Sequence, residues 1–431
     1  MRLKNFPYIS LWKWFYPGMR VKRFLIIVLF GITLMAIGFI FLIDLSRFLW
    51  IKNLIKNLFI NYQIAPHLSG FILIILGSVL VILGIANVNR SILKRIAPQQ
   101  VNQIHDIIYL QKKLGKGPRI GVIGGGTGLY VLLRGLKQYT SNITAVVTVF
   151  DSGGSSGQLR DELGVLPPGD IRNCLVALST KEPLMTRLFQ YRFKNGSLRG
   201  HSFGNLFITA MSEVSGDFSS AIEKSSEILA IRGRVLPSSI KDVTLCARLQ
   251  DKEIVQGEEK ISRSAGRIKS VFIKPSHVPP LTETIQAIKQ AGVIILGPGS
   301  LYTSIICNLL VENIPEAICQ SKALKMYICN VMTQPGETTE YTASMHLKEI
   351  IKYLHQNCID YILVNSEKLS TEVAEKYQKE GAYAVKDDLQ VKESERTKVI
   401  RRELLSERNF ARHDSDKIAR LILDVIHKEK R

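Results

Sequence analysis

The sequence predicts an α/β protein built on a Rossmann-like, doubly wound and mainly parallel sheet, preceded by two transmembrane helices. Three observations carry this reading. Short, continuous β-branched runs such as ITAVVTVF, Ile143 to Phe150, read as strands buried on both faces. Glycine-rich or small polar loops follow such runs and lead into helical stretches, as at the ligand-binding rim of an open α/β sheet. Two apolar runs, 24–43 and 67–86, stand near the start of the chain.

The first run, FLIIVLFGITLMAIGFIFLI, has no charge. At about 1.5 Å rise per residue it spans ~30 Å, one hydrocarbon core. The second carries Gly70, Gly77 and Gly84, which permit close approach of two helices. A cleaved signal peptide fits poorly, because the apolar core is long, no A-x-A-like site follows and a second run comes next. Arg2, Lys4, Lys13, Arg20, Lys22 and Arg23 precede the first run, and Arg90, Lys94 and Arg95 follow the second. The connecting loop has Arg47, Lys52 and Lys56. Both outer flanks are the more basic, so both termini are expected on the cytoplasmic side. Leu45, Phe48, Leu49, Trp50, Leu54 and Ile55 in the loop suggest an interfacial segment.

The 431 residues carry a net charge of +20, which invites a nucleic-acid reading. Its distribution argues otherwise. Residues 1–117 hold 15 Lys or Arg against two acids, Asp44 and Asp106. The excess therefore flanks the apolar runs, where anionic lipid is the natural partner. No zinc-finger or RNA-recognition spacing accompanies it, so no nucleic-acid partner is expected. The six cysteines, Cys174, Cys246, Cys307, Cys319, Cys329 and Cys358, form no C-x-x-C pair. They fit buried apolar roles in a reducing compartment.

Next comes a short amphipathic helix, 98–113, with Val101, Ile104, Ile107 and Ile108 on one side, broken by Gly115 and Gly117-Pro118. The organisation expected is a membrane anchor over 1–97, a tether over 98–117 and the α/β domain over 118–431.

Within that domain RIGVI, 119–123, reads as a strand, Gly124-Gly125-Gly126-Thr127-Gly128 as a turn and Leu129–Leu136 as a helix. Glycines let the backbone approach a phosphate, and amides at the helix start face the anion. The spacing is neither a strict G-x-G-x-x-G nor a P-loop, and many such turns serve only to connect. Asp151 ends the next strand, where a dinucleotide enzyme places its ribose-binding acid. A second loop follows at once, Ser152-Gly153-Gly154-Ser155-Ser156-Gly157, which an ordinary NAD fold does not need and which resembles a second anion cradle. The theme recurs at Gly169-Asp170-Ile171-Arg172-Asn173, at His201-Ser202-Phe203-Gly204-Asn205 and at Gly297-Pro298-Gly299-Ser300. It recurs again at Asn330 with the loop Thr333–Thr338. Asp151 and Asp170 are weak candidates for holding Mg²⁺ against a diphosphate, with capping as the equal alternative. His201 could donate a proton, but a positional hydrogen-bonder is the favoured reading. Arg412-His413-Asp414 precedes the last amphipathic helix, where Asp414 or Ser415 would cap, which favours a structural role. Residues 388–406 are highly charged and read as solvated. No catalytic constellation emerges from spacing.

The segments GVIGGGTGLYVLLRGLK, VTVFDSGGSSGQLRDELGVLPPGDIRNCLVAL, GHSFGNLFITA, IRGRVLP, GPGSLYTSI and CNVMTQPGET resemble, in order, the signatures of YvcK-like proteins. These gluconeogenesis factors belong to the CofD-like family, and the likeness covers about 119–427. The resemblance implies a bacterial protein with a Rossmann-like domain that binds a UDP-sugar such as UDP-N-acetylglucosamine. It also implies a role in cell shape and central carbon metabolism. With the apolar runs, it places the chain in the plasma (inner) membrane with the α/β domain cytoplasmic; a homodimer stays open. By the same likeness Gly124, Gly125, Gly126, Thr127, Gly128, Asp151, Gly153, Gly154, Ser155, Asn173, His201, Asn205, Gly297, Gly299 and Ser300 are expected around the nucleotide or its phosphates. The alternative is a CofD-like, Mg²⁺-dependent phospholactyl-type transferase using a nucleotide diphosphate donor. Ser152 and Met345 stand where the family usually has Asp, and Cys307 where it has Pro. Two missing carboxylates count against the transferase more than against ligand binding. A nicotinamide dehydrogenase is a third, minor reading, disfavoured by the extra Gly-Ser loop.

Overall fold

The structure, a computed structural model, describes residues 21–42, 66–96, 104–180, 183–264, 266–390, 396–406 and 410–429. The chain divides into two compact units, 1–110 and 111–431.

The first unit is a pair of antiparallel helices, α1 (Val21–Leu42) and α2 (Pro66–Ile96). Both are long and apolar enough, by length and composition, to cross a membrane. Glycines set their contact. A Cβ at Gly31 would lie 2.8 Å from the Gly77 carbonyl oxygen, and one at Gly38 would lie 2.8 Å from that of Gly70. The partners recur every seven residues, so the backbones touch along one seam. Away from the seam Ile26, Leu29, Ile75 and Ile82 point outward and are exposed. The segment read as interfacial, 44–65, and the basic flank 1–20 lie outside the described residues.

Helix α3 (Ile104–Gly115) follows; the predicted start at 98 and Val101 also lie outside the described residues. The end of α3 is fixed to the second unit, because Leu114 is buried and its carbonyl accepts from the Ser141 amide at 3.1 Å.

The second unit begins β1 (Ile120–Gly124), α4 (Gly126–Leu136) and β2 (Ile143–Val147). The predicted run to Phe150 leaves the sheet after Val147, and the predicted helix at Leu129 already starts at Gly126. Five helices come next: α5 (Gly154–Leu163), α6 (Gly169–Leu178), α7 (Pro183–Gln190), α8 (Phe203–Ser215) and α9 (Phe218–Leu229). They lead to β3 (Arg234–Pro237). A small antiparallel sheet is then formed by β4 (Thr244–Leu249), β5 (Ile254–Gln256) and β6 (Ile268–Lys274), with α10 (Glu258–Ser262) between the last two. Helix α11 (Thr282–Gln290) precedes β7 (Val293–Leu296). Helix α12 opens with a π-helical stretch, Leu301–Ile306, and continues over Cys307–Leu309. The chain closes with α13 (Ile314–Gln320), β8 (Leu324–Ile328), α14 (Ala343–Leu354), β9 (Tyr361–Asn365), α15 (Thr371–Lys379), β10 (Lys398–Arg402) and α16 (Ser415–Glu429).

Seven strands pair in the order β10-β9-β8-β7-β1-β2-β3, all parallel. Val122, Ile123, Val147, Ile294, Ile295, Leu296, Tyr327 and Ile328 fill the centre and are fully buried, as both faces carry helices. The charged stretch read as solvated instead supplies β10, the edge strand, on which Lys398 and Arg402 stay exposed. Charged edges of this kind discourage pairing with another chain. The cysteine reading also changes. Cys319 and Cys358 form a disulfide across a Cα–Cα distance of 5.4 Å, because α13 packs beside the turn into β9. Cys174, Cys246, Cys307 and Cys329 are free and buried.

Candidate nucleotide-binding site

The strand order reverses between β1 and β7, with β2 on one side and β8 on the other. Loops leaving the C-terminal ends of two such strands part to opposite faces and open a crevice. Here they are Gly124–Gly128 and Gly297–Ser300, two of the loops singled out in the sequence. They touch main chain to main chain. A Cβ at Gly128 would fall 2.6 Å from the Pro298 carbonyl oxygen, and one at Gly299 would fall 3.2 Å from that of Gly125. Gly126 (φ 65°) and Gly297 (φ 81°) adopt left-handed backbone, which glycine accepts without strain. Gly125 is the N-cap of α4 and brings no side-chain cap; the Gly126 amide is taken by Asp170, which leaves the later amides of the first turn for an anion.

The crevice is a cleft of about 490 Å³, within the size range of small-molecule sites. Gly126, Thr127, Gly128, Gly299 and Ser300 form one side. Asn330 and Gln334, beyond β8, and Tyr377, Arg412 and His413 form the other. Gln334 donates to the Ser300 hydroxyl at 2.9 Å and so ties the two sides together. Among the described residues, Asn330 Oδ1, Gln334 Oε1 and His413 Nε2 are buried without a protein hydrogen bond. Such atoms cost about 1–3 kcal/mol each unless solvent or a ligand meets them. Burial pushes the His413 imidazole down to about 4, so at neutral pH it is uncharged and offers one donor and one acceptor. Arg412 is exposed at the cleft edge and lies over the Phe410 ring at 5.2 Å. Asp414 does cap α16, accepting from the Asp416 and Lys417 amides at 2.8 and 2.9 Å. The two residues before it nonetheless line the cleft. Sequence reading assigned them to the cap because a cap is local, whereas their approach to Gly126 depends on α16 packing against α4. Tyr377 carried no sequence signal at all.

Gly124, Gly125 and Gly297 belong to the two touching loops, while Asp151, Gly153, Gly154, Ser155, Asn173, His201 and Asn205 gather in a second cluster at the β2 loop that does not line the cleft; in it Ser155, His201 and Asn205 are buried and Gly154 is exposed. Asn205 Nδ2 donates to Ser155 Oγ at 3.1 Å, and Ser155 Oγ lies 3.1 Å from His201 Nδ1. Arg172 sits at its centre, donating to Ser202 Oγ (2.5 Å), Asn205 Oδ1 (2.9 Å) and Asn173 Oδ1 (2.8 Å). His201 and Asn205 are buried, and Ser202 caps α8. Gly153 donates its amide to Asp151 Oδ1 at 2.9 Å, and Gly154 follows with φ 47°. Neither Gly153 nor any other side chain caps α5.

Acidic groups lie between cluster and cleft. Asp170 is half-buried, its carboxylate set against Gly125, and it accepts a hydrogen bond from the Gly126 amide. Burial first, then the Asp151 charge, raises it to about 7. Burial, followed by Asp151, Glu337 and Asp170, lifts Glu258 to about 8. Glu337 has a structural role. It accepts from Thr303 Oγ1 at 2.8 Å, Ser262 Oγ at 3.0 Å and the Tyr302 amide at 3.2 Å, and so pins the π-helical start of α12 to α10. Two carboxylates, Asp151 and Asp170, are hard oxygen donors suited to Mg²⁺, which commonly needs only one or two beside phosphate oxygens. Among the described residues no group of three His, Cys, Asp or Glu converges as a protein-only metal cage.

The family model for 2-phospho-L-lactate transferase CofD matches residues 120–405. The chain belongs to the CofD-like family. Within it, the Gluconeogenesis factor of Bacillus subtilis is 49% identical over 315 residues, 73% of this chain and 99% of that protein. A Nostoc sp. relative is 43% identical over 417 residues, 95% of this chain and 91% of the relative, so that likeness extends into the apolar helices. A crystal structure of a Bacillus halodurans protein superposes with a TM-score of 0.69 at 49% identity, covering 72% of this chain and all of that one. The three departures from the family pattern have separate settings. Cys307 is buried in α12 with Sγ 3.3 Å from Thr148 Oγ1. Ser152 Oγ accepts from the Glu259 amide at 3.2 Å. Met345 is exposed on the first turn of α14, away from the cleft lining.

Proposed function

We propose that this CofD-like protein binds a nucleotide sugar, of the UDP-N-acetylglucosamine kind, as a regulator of central carbon metabolism and cell shape. The observation that carries the proposal is the cleft at the strand-order reversal. Its one side offers main-chain amides to a diphosphate, and its other offers a cation, an aromatic ring and three unpaired polar atoms. Phosphate charge suits Arg412 and the α4 amides. A base or sugar suits Tyr377, Asn330, Gln334 and neutral His413, which bring stacking area and mixed donors and acceptors. The name of the Bacillus subtilis relative supports the metabolic role. The buried second cluster then holds the β2 loop in place behind the phosphates.

The proposal includes an inner-membrane anchor formed by α1 and α2, with the α/β domain cytoplasmic. Outward-facing Ile and Leu around a glycine seam support it, since a core helix of a soluble protein buries such side chains. Resistance of the full chain to alkaline carbonate extraction tests the anchor, and release into the supernatant refutes it.

Calorimetry on the full chain in detergent, with UDP-N-acetylglucosamine, GDP and NAD, each with and without Mg²⁺, tests the ligand. Tight UDP-sugar binding without metal is the expected result. The paired Asp151 and Asp170 favour one second reading, a transferase. In that case Mg²⁺, held by these acids, would neutralise diphosphate charge. Metal-dependent GDP binding with product formation would establish it.

A further inference from the structure

Helix α7 is amphipathic twice over. Phe189 is fully buried, and Met185, one turn earlier, packs against the core. On the opposite face Leu184, Arg187, Leu188 and Tyr191 follow one another at i, i+3, i+4 and i+7, a continuous outward stripe. Leu184 is 65% exposed and Tyr191 48%. The chain then turns back through residues 192–202, closed by the Phe193 amide on the His201 carbonyl and the Phe203 amide on that of Tyr191, both under 3.0 Å. That turn exposes Leu198 beside Lys194 and Arg199. No Asp or Glu occurs between Pro183 and Ser212. Among the described residues, Arg187, Lys194 and Arg199 form no ion pair.

Exposed leucines and a tyrosine set among exposed cations match the boundary between acyl chains and anionic headgroups. They match a second copy of the same surface poorly, because an isologous contact would bring like charges together. We infer that the α7 stripe and the 192–200 turn form a docking surface for anionic lipid. The inference rests on the anchored reading of the chain. A domain tethered to an anchor meets headgroups at a high effective concentration, so a weak surface suffices. Because α7 leads into α8 and the Arg172 cluster, lipid contact there bears on the same loops that frame the proposed site.

The test uses a fragment, residues 104–431. The crystallised Bacillus halodurans relative is covered in full by a match to 72% of this chain, so the family domain folds without the helical pair. Co-sedimentation compares vesicles of phosphatidylcholine alone with vesicles containing about one-third phosphatidylglycerol, as a headgroup charge that attracts basic segments. The fragment is expected to bind the anionic vesicles only and to be released by high salt. Leu184→Glu with Arg187→Glu and Leu188→Glu should lower that partitioning at least about tenfold. Their thermal midpoint should stay unchanged, because all three side chains are exposed. No binding to anionic vesicles, or equal binding by the variant, overturns the inference. So does a fragment that is dimeric in sedimentation velocity, made monomeric by the variant, and indifferent to vesicles; the face would then join two copies. Since the fragment lacks α1 and α2, its result is independent of the carbonate test of the anchor.

Discussion

Replacing Gly128 by Ala tests whether the two glycine loops act as one phosphate grip. The new Cβ would lie 2.6 Å from the Pro298 carbonyl oxygen, 2.8 Å from its carbonyl carbon and 3.0 Å from the Gly299 nitrogen. All three are main-chain atoms, so no side chain can rotate away. Reaching the 3.4 Å of ordinary contact requires the β1 and β7 loops to part by roughly 0.8 Å. Overpacking on this scale costs about 1–3 kcal/mol, against about 5–15 for a whole domain, so the variant should fold. A hydrogen bond to a charged group is worth about 1.5–3 kcal/mol, and losing one weakens binding about 10–100-fold. Calorimetry with UDP-N-acetylglucosamine, alongside a thermal melt, reads both quantities. Gly115→Ala is the control, because its Cβ would meet nothing within 4 Å. Wild-type affinity in a folded Gly128→Ala protein would refute the shared grip.

Three further outcomes are expected. Arg412→Ala should weaken nucleotide-sugar binding about tenfold or more while the melting midpoint holds, since the side chain is an exposed cation at the edge of the proposed site. Asp170 has a folded value raised above its unfolded one, so its protonated form favours the fold. Its contribution is present below about pH 4 and is lost as pH rises toward about 7. Asp170→Asn should therefore gain stability relative to wild type as melts move from pH 5 to pH 8, and a constant difference would contradict the burial of that acid. Reducing the Cys319–Cys358 bridge, which closes a 39-residue separation, should cost up to about 4 kcal/mol of stability. Mass spectrometry of the unreduced chain that finds both thiols free would remove the basis for that figure.

Much of the first part of the α/β domain was legible because its signals are local. A short apolar run, five residues of turn and a helix can be read from 119–136 alone, and the structure differs in shifting the strand one residue later, to Ile120–Gly124, and in starting α4 three residues earlier. The division of labour among the candidate loops was not legible. Gly126 and Ser300 meet across the strand-order reversal, whereas His201 and Asn205 turn inward to Ser155, and sequence spacing is the same for a loop that lines a cleft and one that braces it. The far wall was not legible for a related reason. Arg412 and His413 owe their place to the contact of α16 with α4, seen where Gln138 Nε2 donates to Asp416 Oδ1 at 2.8 Å and where Gly135 leaves room for Ser415. β10 was hidden because an edge strand needs only one apolar side, and Lys398-Val399-Ile400-Arg401-Arg402 reads as charged before its pairing with β9 is known.

Placing His413 opposite Gly126 has a consequence for the order in which the molecule matures. The far wall comes from Asn330 and Gln334, then Tyr377, and last Arg412 and His413, so a nascent chain that has released β1, β2 and β7 still lacks it. The cleft is complete only after α16 has emerged and packed on α4. If the cleft holds the proposed nucleotide, its response would be confined to chains that have completed α16, and a product lacking that helix would lose Arg412 and His413 from a properly placed wall.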